Sequence, residues 1–320
     1  MTKHKNIVAV DVGGTKILAC VLSPKGIILS KAKKSTNVVS ANDKIINRII
    51  VTVEEAILKS KLKSNDITHI VLGIPGSLNP VKGFIYLAPN LGWKNFNLVK
   101  PLKKYFKKNI LIENDANLGT MGIFHYQLKR KIDNLIALFI GTGIGAGIII
   151  NKKLFQGKNY AAGEIGHMVV NPEGVRCGCG NIGCFETEGS RSAINRFIND
   201  SISNGEKTII TQLVEDTTLI KSNALAKALK MNDEVVIGAV NKASKNIGYM
   251  VGNLINLFDF DAIVFAGGVI EAIGNFMLPI IKKSAKEVAL RNNLKNTRFL
   301  ISNLKDYAAI YGSLALVKEA

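Results

Sequence analysis

Residues 7–22 read IVAVDVGGTKILACVL, and residues 135–150 read LIALFIGTGIGAGIII. Each is an apolar run, a Gly/Thr turn and a second apolar run. Each therefore predicts a β-hairpin whose glycines let backbone N–H groups approach a ligand closely. A third apolar strand, residues 262–266, runs into Gly267-Gly268. It follows a helical pattern with Ile247, Val251, Leu254, Ile255 and Phe258 on one face. Three strand–glycine units in one α/β chain predict two related lobes with a nucleotide between them. Residues 141–146, GTGIGA, match a dinucleotide fingerprint, but that fingerprint must open a helix and Ile148-Ile149-Ile150 reads as strand. The chain contains no G-x-x-x-x-G-K-[ST] phosphate loop. A tight hairpin without a ligand is the bland reading of either turn. Asp11, Gly13, Gly14, Thr15 and Lys16, set beside Thr142 and Gly143, favour phosphate contact, with Mg2+ bridging Asp11 and the phosphates.

The map outward from the hairpins is consistent with two lobes. Residues 43–60 predict an amphipathic helix, 69–73 a buried strand, and 109–112 a strand ending at Glu113-Asn114-Asp115. Residues 191–202 and 232–257 predict helices, 299–302 a short strand and 307–319 a last helix. No Pro- or Ser-rich linker divides the chain. The expected division is a small lobe over 1–118 and a large lobe over 119–304, with the helix at about 305–320 packing back on the first.

In 320 residues, 47% are hydrophobic and 21% charged, the composition of a globular enzyme. The first strand begins within a few residues of the start, which predicts no signal peptide. The longest apolar run is broken by glycines, which predicts no membrane span. Three of the four cysteines cluster, as in a reduced cytoplasmic protein rather than a disulfide framework. The net charge of +18 raises the question of nucleic acid. The lysines are dispersed over 31–34, 100–108 and 282–286, however, and no zinc-finger, basic-zipper or RNP spacing is present. No nucleic-acid partner is expected, and the positive field suits an anionic substrate.

Two further stretches carry chemistry. Residues 113–117, ENDAN, follow a buried strand, where an α/β sheet collects ligands. Asp115 suits a base that accepts a hydroxyl proton, and Asn114 suits a sugar hydroxyl; the bland reading is a helix N-cap. Residues 163–188, GEIGHMVVNPEGVRCGCGNIGCFETE, place His167, Cys177, Cys179 and Cys184 at a spacing that fits a closed Cys₃His zinc site rather than core packing. Four protein ligands leave no open position, so the expected role is structural. Glu164 and Glu186 flank the cluster and suit a polyol; Glu188 has less support.

DVGGTK at 11–16, ENDAN at 113–117, GTGIGAG at 141–147, GEIGH at 163–167 and CGCGNIGCFE at 177–186 resemble the ROK family of repressors, open-reading-frame proteins and sugar kinases. The resemblance covers nearly the whole chain. It implies an α/β fold of the actin-like ATPase (ribonuclease H-like) type, with ATP and sugar in the cleft between two lobes. It implies Asp115 as the base and Asn90, Asn114, Glu164, His167 and Glu186 as hexose contacts. Thr15, Lys16, Thr142, Gly143 and Gly268 then meet ATP, with Gly267 beside them. Two departures from the family pattern lie near the pocket: Gly122 is followed by Ile123, and residues 187–189 are more polar than usual. The activity implied is ATP-dependent phosphorylation of a hexose, most simply glucose, with N-acetylmannosamine, fructose, mannose and allose kinases sharing the motifs. A homodimer or higher homo-oligomer is a family expectation. Repressors of the family carry an N-terminal helix-turn-helix; a first strand near Ile7 leads to the expectation of a kinase, with a sugar-responsive regulator lacking its DNA-binding domain as the alternative.

Overall fold

Both hairpins form. A computed structural model gives the structure of residues 6–36 and 42–319. Strands β1 (Asn6–Val12) and β2 (Lys16–Leu22) pair antiparallel up to Val12↔Ile17, around the Gly13-Gly14-Thr15 turn. The sheet grows by β3 (Ile28–Ser35) on the β2 side, and by β4 (Ile67–Ile74) beside β1. The next four strands in the chain are β5 (Ser77–Asn79), β6 (Phe84–Ala88), β7 (Trp93–Asn97) and β8 (Asn109–Asn114). The last of these pairs parallel with β4, giving the order β3-β2-β1-β4-β8.

The second hairpin, β9 (Leu135–Ile140) and β10 (Ile144–Ile150), is extended by β11 (Lys153–Leu154) and by the parallel strands β12 (Ala262–Ala266) and β13 (Arg298–Ile301). Its order, β11-β10-β9-β12-β13, repeats the first sheet strand for strand and direction for direction. The sequence echo is therefore a structural duplication, and the fold is the two-lobed actin-like ATPase type.

Strands β5, β6 and β7 form a separate antiparallel sheet that hydrophobic periodicity does not reveal. They are three to five residues long, too short for a two-residue period to register. The 3₁₀ turn Pro89–Leu91 between β6 and β7 carries Asn90 and is closed by Gly92 at φ 66°. Trp93 anchors this sheet in the core of the first lobe. The helix expected over 232–257 runs Glu234–Phe258, because Asp233 caps it by accepting from Val236 N and left-handed Asp259 ends it. The strand expected to stop at 112 continues through Glu113 and Asn114, which pair with Gly73 and Ile74. Residues 1–5, 37–41 and 320, which fall in the expected small lobe and returning helix, lie outside the described residues. Among the described residues no helix is long and apolar enough to cross a membrane.

Two helices join the halves. The helix Asp115–Gly122 leaves β8, and the helix Ala308–Glu319 follows β13. Leu118, Ile310 and Leu314 pack on Ile7, Ala9, Cys20 and Leu22 of the first sheet. Ala308 and Ile123 pack beneath Leu135, Ala137 and Val264 of the second. The helices cross backbone to backbone: a Cβ on Gly122 would sit 2.0 Å from Ala308 O, and one on Gly312 would sit 1.7 Å from Leu118 O. Helix propensity alone would make Gly312→Ala stabilising by about 1 kcal/mol. The steric overlap reverses the sign, and a loss of about 3 kcal/mol is expected from forcing the helices apart. A urea titration checks this; an unchanged or higher midpoint would contradict the close crossing.

Candidate active site

All four polar side chains of the ENDAN turn are hydrogen-bonded within it. Asn114 Oδ1 caps the following helix by accepting from Ala116 N (2.9 Å) and Asn117 N (3.1 Å). Its Nδ2 donates to Gly76 O at 3.2 Å, which uses one of its two N–H groups. Buried Glu113 accepts from Asn114 N and Asn117 Nδ2, both at 2.9 Å. Asp115 Oδ1 accepts from Ala116 N at 2.8 Å, and no other side chain donates to the carboxylate among the described residues. Burial pushes the Asp115 carboxyl above the usual range, and the facing charge of Glu164 adds to the effect. The cap thus falls to Asn114, and capping does not draw on the Asp115 carboxylate that the base reading requires.

The helix that starts at Asp115 lies against the second hairpin because glycines remove the side chains between them. A Cβ on Gly147 would meet Thr120 Oγ1 at 2.2 Å and Ala116 O at 2.9 Å; one on Gly119 would strike the Phe139 ring. The GTGIGAG glycines therefore divide. Gly145 and Gly147 belong to β10 and admit the helix, whereas Thr142 and Gly143 form the turn. Arg191 donates to Thr142 Oγ1 (2.6 Å) and Ser192 Oγ to Thr142 O (2.8 Å), fixing that turn to the N-terminus of the Arg191–Ser203 helix.

In the first turn, Gly13 N donates to Lys16 O, and Thr36, fully buried, donates its hydroxyl to Gly13 O. Gly14 is required by proximity, since a Cβ there would lie 2.9 Å from Asn90 O. Exposed Thr15 sits at the tip. Lys16 Nζ is paired with Asp306 Oδ2 at 2.6 Å, so this cation must exchange partners to meet a phosphate. Gly267 needs its φ of 92° and lies on the backbone of Ile140; Gly268, first in the Gly268–Val288 helix, faces open space.

Asp11 stands between these groups. Burial and the facing Asp115 carboxylate raise its pKa to about 7, with Lys16 pulling it down. The folded ligand-free protein thus holds a proton that an unfolded aspartate releases near 3.8. Its stability falls as pH rises from 3.8 to about 7 and the penalty is complete above that, because the native state binds more protons in this window. Asp11→Asn should flatten that part of the profile. Urea midpoints measured across the window check it; an unaltered slope in the variant would overturn the assignment.

The loop beyond β11 brings the cluster to the same place. The ligand atoms of His167, Cys177, Cys179 and Cys184 all lie within 4.8 Å of one another. Cys179 Sγ is 3.6 Å from Cys184 Sγ, and Cys177 Sγ 3.7 Å from His167 Nδ1. A tetrahedral zinc with sulfur at about 2.3 Å and nitrogen at about 2.0 Å holds its ligands roughly 3.5–3.8 Å apart, so the donor set fits that ion. With Nδ1 toward Cys177, His167 Nε2 points to Glu164 Oε2 at 3.9 Å. Glu186 Oε2 accepts from Ile144 N at 2.8 Å, beside Gly143, while Oε1 is 3.9 Å from Cys177 Sγ. Glu188 is buried against Arg196 and Asn171 and takes a structural place.

These contacts close a ring: Gly14 touches Asn90, Gly143 touches Glu186, the cluster links Glu186 to His167, and Glu164 faces Asp115 and, through it, Asp11. Asn90, Thr142, Gly143, Cys177 and Glu186 line a cleft of 380 Å³ between the lobes. Arg176 and Arg196 line it too, and the sequence reading did not single them out. The chain has 42 Lys and Arg, and nothing in local spacing separates these two.

A family model described as "ROK family" matches residues 7–320. The chain belongs to the ROK family. It is 31% identical over 313 residues to a glucokinase of Halalkalibacterium halodurans, covering 98% of this chain and 94% of that one. It is 28% identical to a xylose repressor of Caldicellulosiruptor bescii, covering 98% of this chain and 78% of the repressor. Among solved structures, a ROK family glucokinase from Streptomyces griseus in complex with glucose and AMPPNP superposes with a TM-score of 0.85. The two are 27% identical, with 98% and 100% of the chains covered. As a ROK protein the chain thus shares its architecture with both kinases and regulators, and its similarity to glucokinases extends over their length.

Proposed function

We propose that this ROK protein is an ATP-dependent hexose kinase that transfers the γ-phosphoryl group to the 6-hydroxyl of glucose. The observation that carries this reading is Asp115: a half-buried carboxylate at the start of a helix, with raised proton affinity and with the charges of Glu164 and Asp11 close by. In-line transfer needs a base at the acceptor hydroxyl and amides at the phosphates. Asp115 takes the hydroxyl proton as the sugar oxygen bonds to the γ-phosphorus and the bond to ADP breaks. Glu164, His167 Nε2 and Glu186 offer acceptors or donors to the sugar hydroxyls, with Asn90 and the remaining N–H of Asn114. The Gly13–Lys16 and Thr142–Gly143 turns receive the phosphates, and Lys16 leaves Asp306 to meet them. Gly268 leaves space for the nucleoside, and Gly267, turned at φ 92° against Ile140, sets its position.

Asp11 is the carboxylate that would hold Mg2+, whose charge would neutralise the phosphates and restore the ionised form of Asp11. Zinc on His167, Cys177, Cys179 and Cys184 would fix the loop that presents His167, Glu164 and Glu186. An ATP-coupled assay across glucose, N-acetylmannosamine, fructose, mannose and allose tests the reading. Glucose is expected to give the highest kcat/KM; preference for another hexose would move the substrate, and turnover of none would remove the kinase assignment.

A further inference from the structure

The carboxylate of Glu113 has a second connection that leaves its own lobe. Its Oε2 accepts from Gln156 Nε2 at 2.6 Å, across 43 residues of chain, from β8 of the first sheet to the loop that follows β11 of the second. Gln156 stands at the neck of that loop: its carbonyl accepts from Ala162 N at 3.0 Å. Gly163 and Glu164 come next, with Gly163 held at φ 92° against Ala146 O. On the other side of the bond, Glu113 Oε1 holds the backbone of Asn114 and the side chain of Asn117, which frame Asp115. The segments that carry Asp115 and Glu164, whose charges act on each other, are thus joined by one hydrogen bond between Glu113 and Gln156. Glu113 and Gln156 also border a 380 Å³ cavity whose lining, with Val99, Ile110, Ile112 and Leu316, is largely apolar and supplies few competing partners.

Glu113 is 1% exposed and is satisfied by three N–H donors with no cation among them. Burying a carboxylate in this way costs stability that an apolar residue would not. The cost makes sense if the group holds a geometry. We propose that Glu113 and Gln156 are positioning residues forming an inter-lobe strut, which sets the separation of Asp115 from Glu164 and thereby the affinity for sugar. The strut rests on the hexose-kinase reading for its consequence, though not for its geometry.

Three variants of the full chain test it. Gln156→Glu sets two carboxylates against each other; Gln156→Ala deletes the donor without touching the Asp115 turn. The reciprocal pair Glu113→Gln with Gln156→Glu restores one donor and one acceptor across the gap. Each single Gln156 variant should raise the sugar KM about tenfold, the effect of leaving a buried acceptor unpaired, with the ATP KM little changed. Amide exchange over residues 157–163 should quicken in the singles. The reciprocal pair should return both readouts toward the unsubstituted protein. Unchanged sugar KM and exchange in Gln156→Glu would overturn the strut, as would a reciprocal pair no better than that single variant. A protein that phosphorylates no hexose, yet shows the exchange pattern, would instead remove the kinase reading and leave the strut standing.

Discussion

Asp115→Asn is expected to lower kcat by about three orders of magnitude while glucose still binds, because the substitution removes a proton acceptor and little else. The amide is isosteric, and its oxygen can still accept from Ala116 N at the first turn of the helix. The cap itself belongs to Asn114, so the turn should survive. An amide cannot take the hydroxyl proton, so the transition state must shed it to water. The raised proton affinity of Asp115 strengthens it as a base and should move the acidic limb of the kcat/KM profile, which reports the free enzyme, above the usual carboxylate range. A coupled assay gives kcat and titration calorimetry gives the glucose affinity. Turnover near that of the unsubstituted enzyme would remove Asp115 from the base role.

Loss of the proposed zinc has the second largest expected effect, and it should act through sugar recognition and stability together. Cys184 is fully buried and Cys177 nearly so, while loop neighbours Met168, Val169, Val170, Val175 and Ile182 are exposed. Such a loop draws little order from apolar burial, and a zinc on the cluster would hold it together with turns such as Cys177 N to Asn181 O. Chelation, or Cys184→Ala, should weaken glucose binding by at least about tenfold and lower the melting temperature, since His167 and Glu186 both rest on the cluster. Nucleotide affinity should change less, because of the two glycine turns only Thr142–Gly143 meets the cluster, and then through Glu186. Metal analysis with calorimetry for each ligand checks this. Metal-free protein with ordinary glucose affinity would contradict the clamp.

Much of this arrangement was legible in residue order. The two hairpins, the Gly267-Gly268 turn and the Cys₃His donor set are local patterns, and each appears where its spacing says. Other features were readable only in kind. GTGIGAG reads as a glycine loop, yet half of its glycines serve helix packing against Thr120 and Ala116. ENDAN reads as either cap or base, and the structure assigns the cap to Asn114. Lys16 reads as a phosphate ligand but stands paired with Asp306, 290 residues away.

The sequence alone thus determined the α/β duplication and the chemical types present at the glycine turns and the Cys₃His cluster. These follow from periods and spacings that act within a few residues, where backbone geometry dictates which side chains share a face. Tertiary structure alone decided which oxygen is spent on a cap, which cation is already paired and which glutamine closes the gap behind Asp115. Those choices depend on hydrogen-bond partners brought together across the chain, and a short-range pattern carries no record of a partner it does not contain.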